Sequence, residues 1–266
     1  MVIRERYLKL IRPFYDQELI KVLIGIRRSG KSVILKQIID ELKENNVDDN
    51  HIIYINFEDY DYEEYTDPKK LNNYVKKRII DDKKYYIFFD EIQNVDKWEK
   101  VVNSLRATRN TSIFITGSNS DLLSSDLATL FTGRTYKIEI FPFSYNEYMS
   151  YYNYENTDET FDKYVLEGGF SGSYLYKNLD EKYKYISDVY KTLIVRDITQ
   201  RYHIQNIPLL DSISDFLIDN ISKLTSYRSL TDTLNSNKNN VSDKTVGTYM
   251  KYLCDAYAFY KIRRYD

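Results

Sequence analysis

A glycine-rich octapeptide near the start of the chain constrains its fold more than any other feature. It runs Gly25-Ile26-Arg27-Arg28-Ser29-Gly30-Lys31-Ser32 and fits the pattern G-x-x-x-x-G-K-[ST]. A largely apolar run, Lys21 to Ile24, precedes it, and apolar residues at helical spacing follow it at Ile34, Ile38 and Leu42. A strand, a glycine-rich turn and a helix in this order predict a phosphate-binding loop at a helix N-terminus.

The chemistry predicted for this loop is the binding of a nucleoside triphosphate, ATP, together with Mg²⁺. Lys31 is expected to reach the β- and γ-phosphates, and the Ser32 hydroxyl to complete the Mg²⁺ shell. The alternative is a glycine turn with an exposed lysine, which would not need the flanking strand and helix. We predict nucleotide contacts for Gly25, Arg28, Ser29, Gly30, Lys31, Ser32 and Val33.

A second apolar run ends in two carboxylates that suit metal binding and hydrolysis. The segment Tyr85-Tyr86-Ile87-Phe88-Phe89-Asp90-Glu91 indicates a buried strand that comes after an intervening strand. Asp90 would hold Mg²⁺ through water, and Glu91 would point to the other side, toward an attacking water. An apolar run closed by two carboxylates is usually a solvated strand end, but the phosphate loop favours the functional interpretation. Glu91 favours hydrolysis over binding alone.

The next strand, Ser112 to Thr116, ends in polar side chains. Ser118 and Asn119 follow it, and either could contact the γ-phosphate if this strand lies between the other two. The alternative is that Ser118 or Asn119 caps the next helical stretch. Both roles can coexist in one residue, so both hypotheses stay open.

Short apolar runs alternate with helical patterns in the first half, which predicts an α/β fold with a parallel five-stranded sheet. From Phe161 onward the patterns are helical almost to the end. We predict a nucleotide-binding core over residues 1–155, a helical region over 156–206 and a helix-turn-helix domain over 207–266. The predicted strands are Lys21 to Ile24, His51 to Asn56, Tyr85 to Asp90, Ser112 to Thr116 and Tyr136 to Ile140; the predicted helices include Val95 to Leu105, Phe161 to Leu166, Asp180 to Tyr202 and Ile207 to Lys223.

Composition excludes several classes of protein. The 266 residues carry a net charge of −2, so no global field draws the chain to nucleic acid or to an anionic membrane. No stretch reaches the roughly 18 apolar residues that a membrane span needs. The single cysteine, Cys254, cannot form an internal disulfide. We therefore predict a soluble, cytoplasmic protein with no membrane partner, and we attribute its 28 tyrosines to biased composition.

The motifs, in this order, resemble those of the prokaryotic AAA-like ATPases. The most similar group joins an AAA domain to a C-terminal domain of unknown function and is related to the archaeal ATPases and the STAND NTPases. The resemblance rests on the phosphate loop and on Phe88-Phe89-Asp90-Glu91-Ile92-Gln93, Trp98, Ile115-Thr116-Gly117-Ser118-Asn119-Ser120, Thr132-Gly133-Arg134, Phe141 to Glu147 and Arg196-Asp197-Ile198. It implies a P-loop NTPase core of the additional-strand, catalytic-glutamate type, followed by a helical lid and a winged helix.

The resemblance also assigns a role to Arg134, which matches the Gly-Arg of the family. This residue would be an arginine finger, acting in cis or from a neighbouring subunit. The alternative is an ordinary surface or ion-pair arginine, and we leave the two open.

The chain departs from the family pattern in two places. Relatives usually carry Gly-Gly-aromatic-Pro where this chain has Gly168-Gly169-Phe170-Ser171, so a proline that closes over the adenine is missing. Relatives also continue into a nuclease-like domain, whereas this sequence stops at Asp266. We expect either a fragment or a shortened relative.

The tail predicts paired helices, Leu224 to Asn237 and Ser242 to Ala256, with Tyr257 to Asp266 as a wing. Its excess of basic residues could hold DNA through phosphates, and winged helices also pack on nucleotide domains or on protein partners, including a second copy. The leading hypothesis is an ATPase whose nucleotide state controls this C-terminal region. The alternative is an ATP-liganded DNA-binding regulator or switch with little intrinsic hydrolysis.

Overall fold

The computed structural model describes residues 2–108, 110–118, 131, 133–236 and 241–262. The chain divides into two compact units, Met1–Ile186 and Ser187–Asp266. The boundary between the units falls inside the helical region predicted over 156–206. The three-part division at 155/156 and 206/207 stays a prediction.

The first unit is built on a sheet of five parallel strands. In space their order is β2-β3-β4-β1-β5, and every neighbouring pair is parallel. The three central strands are buried along their whole length, as expected for a parallel sheet covered on both faces. The predicted strands are confirmed to within one residue at either end: β1 Ile20–Ile24, β2 Ile52–Asn56, β3 Tyr85–Asp90, β4 Thr111–Gly117 and β5 Thr135–Glu139.

Helices connect and follow these strands. In the first unit they are α1 Glu5–Ile11, α2 Lys31–Glu44, α3 Pro68–Arg78, α4 Trp98–Thr108, α5 Tyr145–Tyr152, α6 Asp158–Glu167 and α7 Leu179–Thr192, whose last turns lie beyond the division between the units. One face of α2 is buried because Ile34, Ile38 and Leu42 recur at helical spacing, as predicted. The prediction of a helix starting at Val95 is wrong by three residues: the backbone is extended at Val95 and left-handed at Lys97, so α4 begins at Trp98.

In the described residues of the second unit, the regular elements are all helices, joined by turns. A π-helical segment, Leu193–Gln200, follows α7, and α8 Ile207–Asp219, α9 Tyr227–Ser236 and α10 Asp243–Asp255 complete it. Ser242 caps α10 as predicted, with its side chain accepting from the Thr245 N–H. Residues 187–236 and 241–262 contain no strand, and Arg263 and Arg264 of the predicted wing lie outside the described residues. The winged helix therefore stays a prediction.

No described helix combines the length and the apolar character that crossing a membrane requires.

A lysine lies in the core of the sheet, where an apolar residue is the usual occupant. Lys21 of β1 is 0% exposed; its Nζ donates to Ser112 Oγ at 2.7 Å and to the Gln17 carbonyl at 3.1 Å, and lies 4.5 Å from the centre of the Phe114 ring. Burial lowers the pKa of Lys21 from its ordinary value of 10.5 to about 7. In the folded chain the Lys21 amine therefore loses its proton at a much lower pH than in the unfolded chain.

Lys21 should make stability depend on pH in the alkaline direction. Between about pH 7 and pH 10 the unfolded chain binds the Lys21 proton and the folded chain releases it, so the free energy of unfolding rises with pH. Between pH 7 and pH 9 the gain attributable to Lys21 is about 2 kcal/mol. Urea unfolding at several pH values, with Lys21→Met for comparison, measures it. Parallel pH dependences in the two proteins would contradict the assignment.

Candidate active site

The phosphate loop joins the end of β1 to the start of α2, and two glycines shape it. Gly25 has φ +138°, and a Cβ there would lie 2.2 Å from the carbonyl oxygen of Ile140, the residue after β5. Gly30 has φ +95° and is the N-cap of α2. Both positions need glycine, the first for a close backbone approach and the second for a left-handed conformation. The helix dipole and the free N–H groups of α2 then face the loop.

Lys31 is the first residue of α2, and its amine lies inside the loop. The side chain is 3% exposed; its Nζ donates to the carbonyls of Gly25 at 3.0 Å and Ile26 at 3.2 Å, and lies 3.6 Å from Glu91 Oε1. Burial lowers the pKa of Lys31, whereas the carboxylates of Glu91 and Asp90 oppose that shift. The amine is therefore buried inside the loop between two carbonyls and the Glu91 carboxylate, where it can bind negative charge.

Asp90 ends β3, and hydrogen bonds from two neighbouring strands fix its carboxylate. Thr116 of β4 donates to Asp90 Oδ1 at 2.5 Å, and Tyr54 of β2 donates to Asp90 Oδ2 at 2.8 Å. The Thr116 hydroxyl also accepts the Glu91 backbone N–H at 2.9 Å. One threonine thus sets the orientation of both acidic residues, because β4 lies between β1 and β3.

Glu91 has an unusual backbone and an ionised side chain. Its φ is +55°, a left-handed conformation that non-glycine residues rarely adopt. Burial alone would raise the pKa of Glu91, but Lys31 and a 2.5 Å hydrogen bond from Gln93 Nε2 keep it below its ordinary value. Ser118 lies close enough to lower it further, although its hydroxyl does not reach hydrogen-bonding geometry. Glu91 is therefore an acceptor suited to orienting a water.

Several buried polar atoms around these carboxylates have no partner among the described residues: Ser29 Oγ in the loop, Gln93 Oε1 beside Glu91 and Ser118 Oγ at the end of β4. Buried polar atoms are nearly always paired in folded proteins, so a polar ligand is expected here. The donor set of loop N–H groups, Lys31 and a helix N-terminus fits the phosphates of ATP, and Ser32 with Asp90 fits Mg²⁺. Ser32 and Val33 are half-buried in the first turn of α2.

Three predicted site residues lie away from this cluster or cannot be placed. Arg28 is exposed at φ +63°; its Nη1 donates to the Tyr185 hydroxyl of α7 at 3.1 Å, and its guanidinium lies 5.3 Å from the centre of that ring. Asn119 lies outside the described residues. Arg134 is exposed and comes just before β5, at the other end of the strands from the loop.

The position of Arg134 contradicts the prediction that it could act in cis. Its carbonyl accepts from the N–H of Ile20, the first residue of β1, whereas the loop follows Ile24. At about 3.3 Å per residue, the length of β1 separates Arg134 from the loop by roughly 16 Å, too far for an arginine side chain. The alternative of a finger from a neighbouring subunit stays a prediction.

Sequence reasoning missed four residues that shape the site: Arg4, Tyr54, Gln93 and Thr116. Thr116 and Gln93 belong to sequence motifs that were recognised, so the motifs themselves indicated that these positions lie near the site. Tyr54 lies in a strand that was predicted for its apolar pattern alone. Arg4 had no signal, since only the fold brings it to the loop.

Comparison with protein families assigns both parts of the chain. Residues 17–149 match the AAA domain, and residues 158–266 match a domain of unknown function, which confirms the expected combination. The chain is 36% identical over 273 residues to an uncharacterized protein of Haemophilus influenzae, and the alignment covers 100% of this chain and 68% of that protein. It is 32% identical over 258 residues to an uncharacterized protein of Methanocaldococcus jannaschii, covering 93% and 57% respectively.

A solved structure confirms the fold. The Walker-type ATPase of Pyrococcus abyssi superposes with a TM-score of 0.64 at 16% identity, over 96% of this chain and 90% of that one. At this identity the likeness concerns the α/β P-loop fold alone.

Replacing Thr116 by valine should slow ATP turnover, because the hydroxyl holds Asp90 and the Glu91 backbone together. We expect kcat to fall about 10- to 100-fold and the Mg²⁺ requirement to rise, as for other residues that orient metal ligands. Phosphate release measured across a Mg²⁺ titration checks this.

Two controls accompany that variant. Thr116→Ser keeps the hydroxyl and should retain most of the activity. Thr231→Val removes a comparable buried hydroxyl from α9, where it donates to the Tyr227 carbonyl, and should leave the rate unchanged. An unchanged rate and Mg²⁺ dependence in Thr116→Val would show that the threonine does not position the carboxylates.

Proposed function

The chain belongs to the AAA domain family of P-loop ATPases, and on this premise we propose that its nucleotide state controls the helical region that follows the ATPase domain. As a member of this family it binds nucleotide and hydrolyses ATP. In the mechanism that we propose, the loop and Lys31 hold the phosphates, Ser32 and Asp90 hold Mg²⁺, and Glu91 orients the attacking water. Bound Mg²⁺ would neutralise charge that develops on the phosphate oxygens.

The contact between Arg28 and Tyr185 is the observation that supports this control. Arg28 is part of the phosphate loop, and Tyr185 is on α7, the helix within which the division between the two units falls. The Tyr185 hydroxyl also packs on Gly172, where a Cβ would lie 2.1 Å from it. A change in the position of Arg28 would therefore alter a contact of α7.

The size of the contact suits a switch. A hydrogen bond contributes about 0.5–1.5 kcal/mol and an exposed cation–π contact about 0.5–1 kcal/mol. Their sum of roughly 1–2.5 kcal/mol corresponds to a shift of about 5- to 70-fold between two states, within the range of allosteric couplings. The backbone of Arg28 is held in a strained left-handed conformation, and phosphate bound to the loop would change this strain.

Removing the Tyr185 side chain should uncouple the two units without abolishing nucleotide binding. In Glu91→Gln, which is expected to hold ATP without turnover, amides of residues 187–236 should exchange hydrogen at different rates with ATP and with ADP. Adding Tyr185→Ala should remove this difference, and Tyr185→Phe should reduce it, because the ring remains and the hydroxyl is lost. Hydrogen exchange detected by mass spectrometry provides the measurement.

Tyr183 supplies a matched control, since it lies on the same helix and is 44% exposed. The Tyr183→Ala protein should keep the nucleotide-dependent difference. Persistence of the difference in Tyr185→Ala would remove the supporting contact, and its absence in Glu91→Gln itself would overturn the proposed control. Repeating the exchange with duplex DNA tests the alternative of a DNA-binding regulator.

We also propose that the ATPase acts as an oligomer in which Arg134 serves the site of a second copy. The residue is exposed and opens onto a surface cavity that Arg106, Asp16 and Glu18 also line. Its backbone is fixed on both sides, by Ile20 and by the Phe131 carbonyl. A rigid, exposed arginine at the edge of the sheet away from its own loop suits contact with another subunit's phosphates.

Mixing two inactive variants tests this arrangement. Arg134→Ala should lower kcat on the order of 10³-fold, the loss typical of a missing arginine finger. Lys31→Ala should also be inactive, yet a mixture of the two should recover part of the activity, because one supplies the loop and the other the arginine. Phosphate release by the mixture is the measurement. Arg106→Ala controls for a general loss of charge, and a mixture that stays inactive would contradict action in trans.

A further inference from the structure

We propose that Arg4 is a positioning residue for nucleotide binding, which holds the phosphate loop through the carbonyl of Ser29. The side chain is 1% exposed and is among the largest that the fold buries completely. Arg4 is part of neither the loop nor the carboxylate cluster, but its guanidinium contacts the backbone of the loop at the Ser29 carbonyl.

The guanidinium of Arg4 joins three segments of the first unit. Its Nη1 donates to the Ser29 carbonyl at 2.6 Å, its Nη2 donates to the Phe141 carbonyl at 3.0 Å, and Nε with Nη2 form a fork on the Glu147 carboxylate at 2.6 and 3.0 Å. The ring of Phe143 lies 5.1 Å from the guanidinium carbon. Only a planar group with several N–H donors can make these contacts together, which distinguishes arginine from lysine.

The contact with Ser29 fixes a binding group on the other side of the same peptide. A trans peptide is planar, so the Ser29 carbonyl and the Gly30 N–H point in opposite directions. When Arg4 holds the carbonyl, the Gly30 N–H is directed away from Arg4. A Cβ on Gly30 would lie 3.2 Å from Arg4 Nη1, so the two groups are closely packed. Arg4 therefore sets the direction of one of the N–H groups with which such loops bind phosphate.

The partners of Arg4 keep it in place. Burial alone would raise the pKa of Glu147, but hydrogen bonds from Arg4 and from Ser144 hold it below its ordinary range, so the carboxylate remains charged. Glu147 also completes a capping box with Ser144 at the start of α5.

The backbone of Arg4 is tied to α2 by one side chain. Gln37 accepts the Arg4 N–H at 3.1 Å and donates to the Val2 carbonyl at 2.8 Å. The segment that carries Arg4 is thus fastened to the helix that begins at the loop. Arg4 is therefore attached to the loop through its side chain and to α2 through its backbone.

The test is the kinetic effect of Arg4→Lys and Arg4→Met in the whole chain. Lysine keeps the charge and loses the fork, and methionine loses both. Because the Gly30 N–H contributes to binding in the ground state and the transition state alike, KM for ATP should rise on the order of 10-fold while kcat changes little. The Kd for ADP, measured by fluorescence in the same proteins, should rise in parallel.

A second buried ion pair serves as the control for stability. Lys182 and Glu167 approach to 2.5 Å with side chains 6% and 16% exposed, comparable to 1% and 12% for Arg4 and Glu147. Lys182→Met should lower the melting temperature and leave KM unchanged. A merely structural Arg4 would behave in the same way, with a smaller active fraction and an unaltered KM.

Glu147→Gln keeps Arg4 and most of its hydrogen bonds, and it provides a milder variant should Arg4→Met fail to fold. It should raise KM less than Arg4→Lys does. An unchanged KM in both Arg4→Lys and Glu147→Gln overturns the proposal, and so does an equal rise in Lys182→Met. These measurements concern the ATPase site alone and do not depend on Tyr185 or on Arg134.

Discussion

Three charged side chains, Lys31, Asp90 and Glu91, are buried together, and the rest of the site depends on the cost of burying them. Each ion would cost several kcal/mol to desolvate if it lacked a partner. The fold limits this cost by bringing the charges to the ends of neighbouring strands and of α2, where each meets an opposite charge or a hydrogen-bond donor. Thr116 can bond both the Asp90 carboxylate and the Glu91 backbone N–H because β4 lies beside β3, the strand that ends in these residues. At this site the order of the strands is what allows each charge to meet its partner.

The parts of the site that the sequence predicted are those that are local in the chain. The loop and the acidic strand end follow from short patterns, and so do the five strands. The contacts of Arg4 and Arg28 were out of reach because their partners are 143 and 157 positions away. The motif of Arg134 was recognised in the sequence, but which end of the strands it lies at depends on the register of β5 against β1. In the second unit the helices were predictable from periodicity, whereas the wing was not tested.

The abundant tyrosines have a structural use whatever the origin of the composition. Tyr148, Tyr151 and Tyr152 of α5 lie with Tyr174 in one cluster, with ring centres 5.2 to 5.4 Å from that of Tyr174. The Tyr148–Tyr174 pair is edge-to-face and the other two are tilted; aromatic pairs at such distances add about 0.5–1.5 kcal/mol each beyond their buried area. Phe143 connects the cluster to Arg4, and the segment after Tyr174 leads to α7. Arg4, which contacts the loop, is therefore supported by this aromatic cluster through Phe143.

The strand order has a consequence for how the chain is made. β1 is the first strand to be synthesised, yet its two neighbours in the sheet, β4 and β5, are the last. Pairing across roughly a hundred residues is slow, because loop closure costs entropy before any contact compensates. A growing chain therefore carries an early apolar strand with both edges unpaired, the situation in which strands aggregate. The sheet that carries the phosphate loop is complete only after β4 and β5 have paired with β1, and ATP bound by the completed unit stabilises it relative to the unfinished chain.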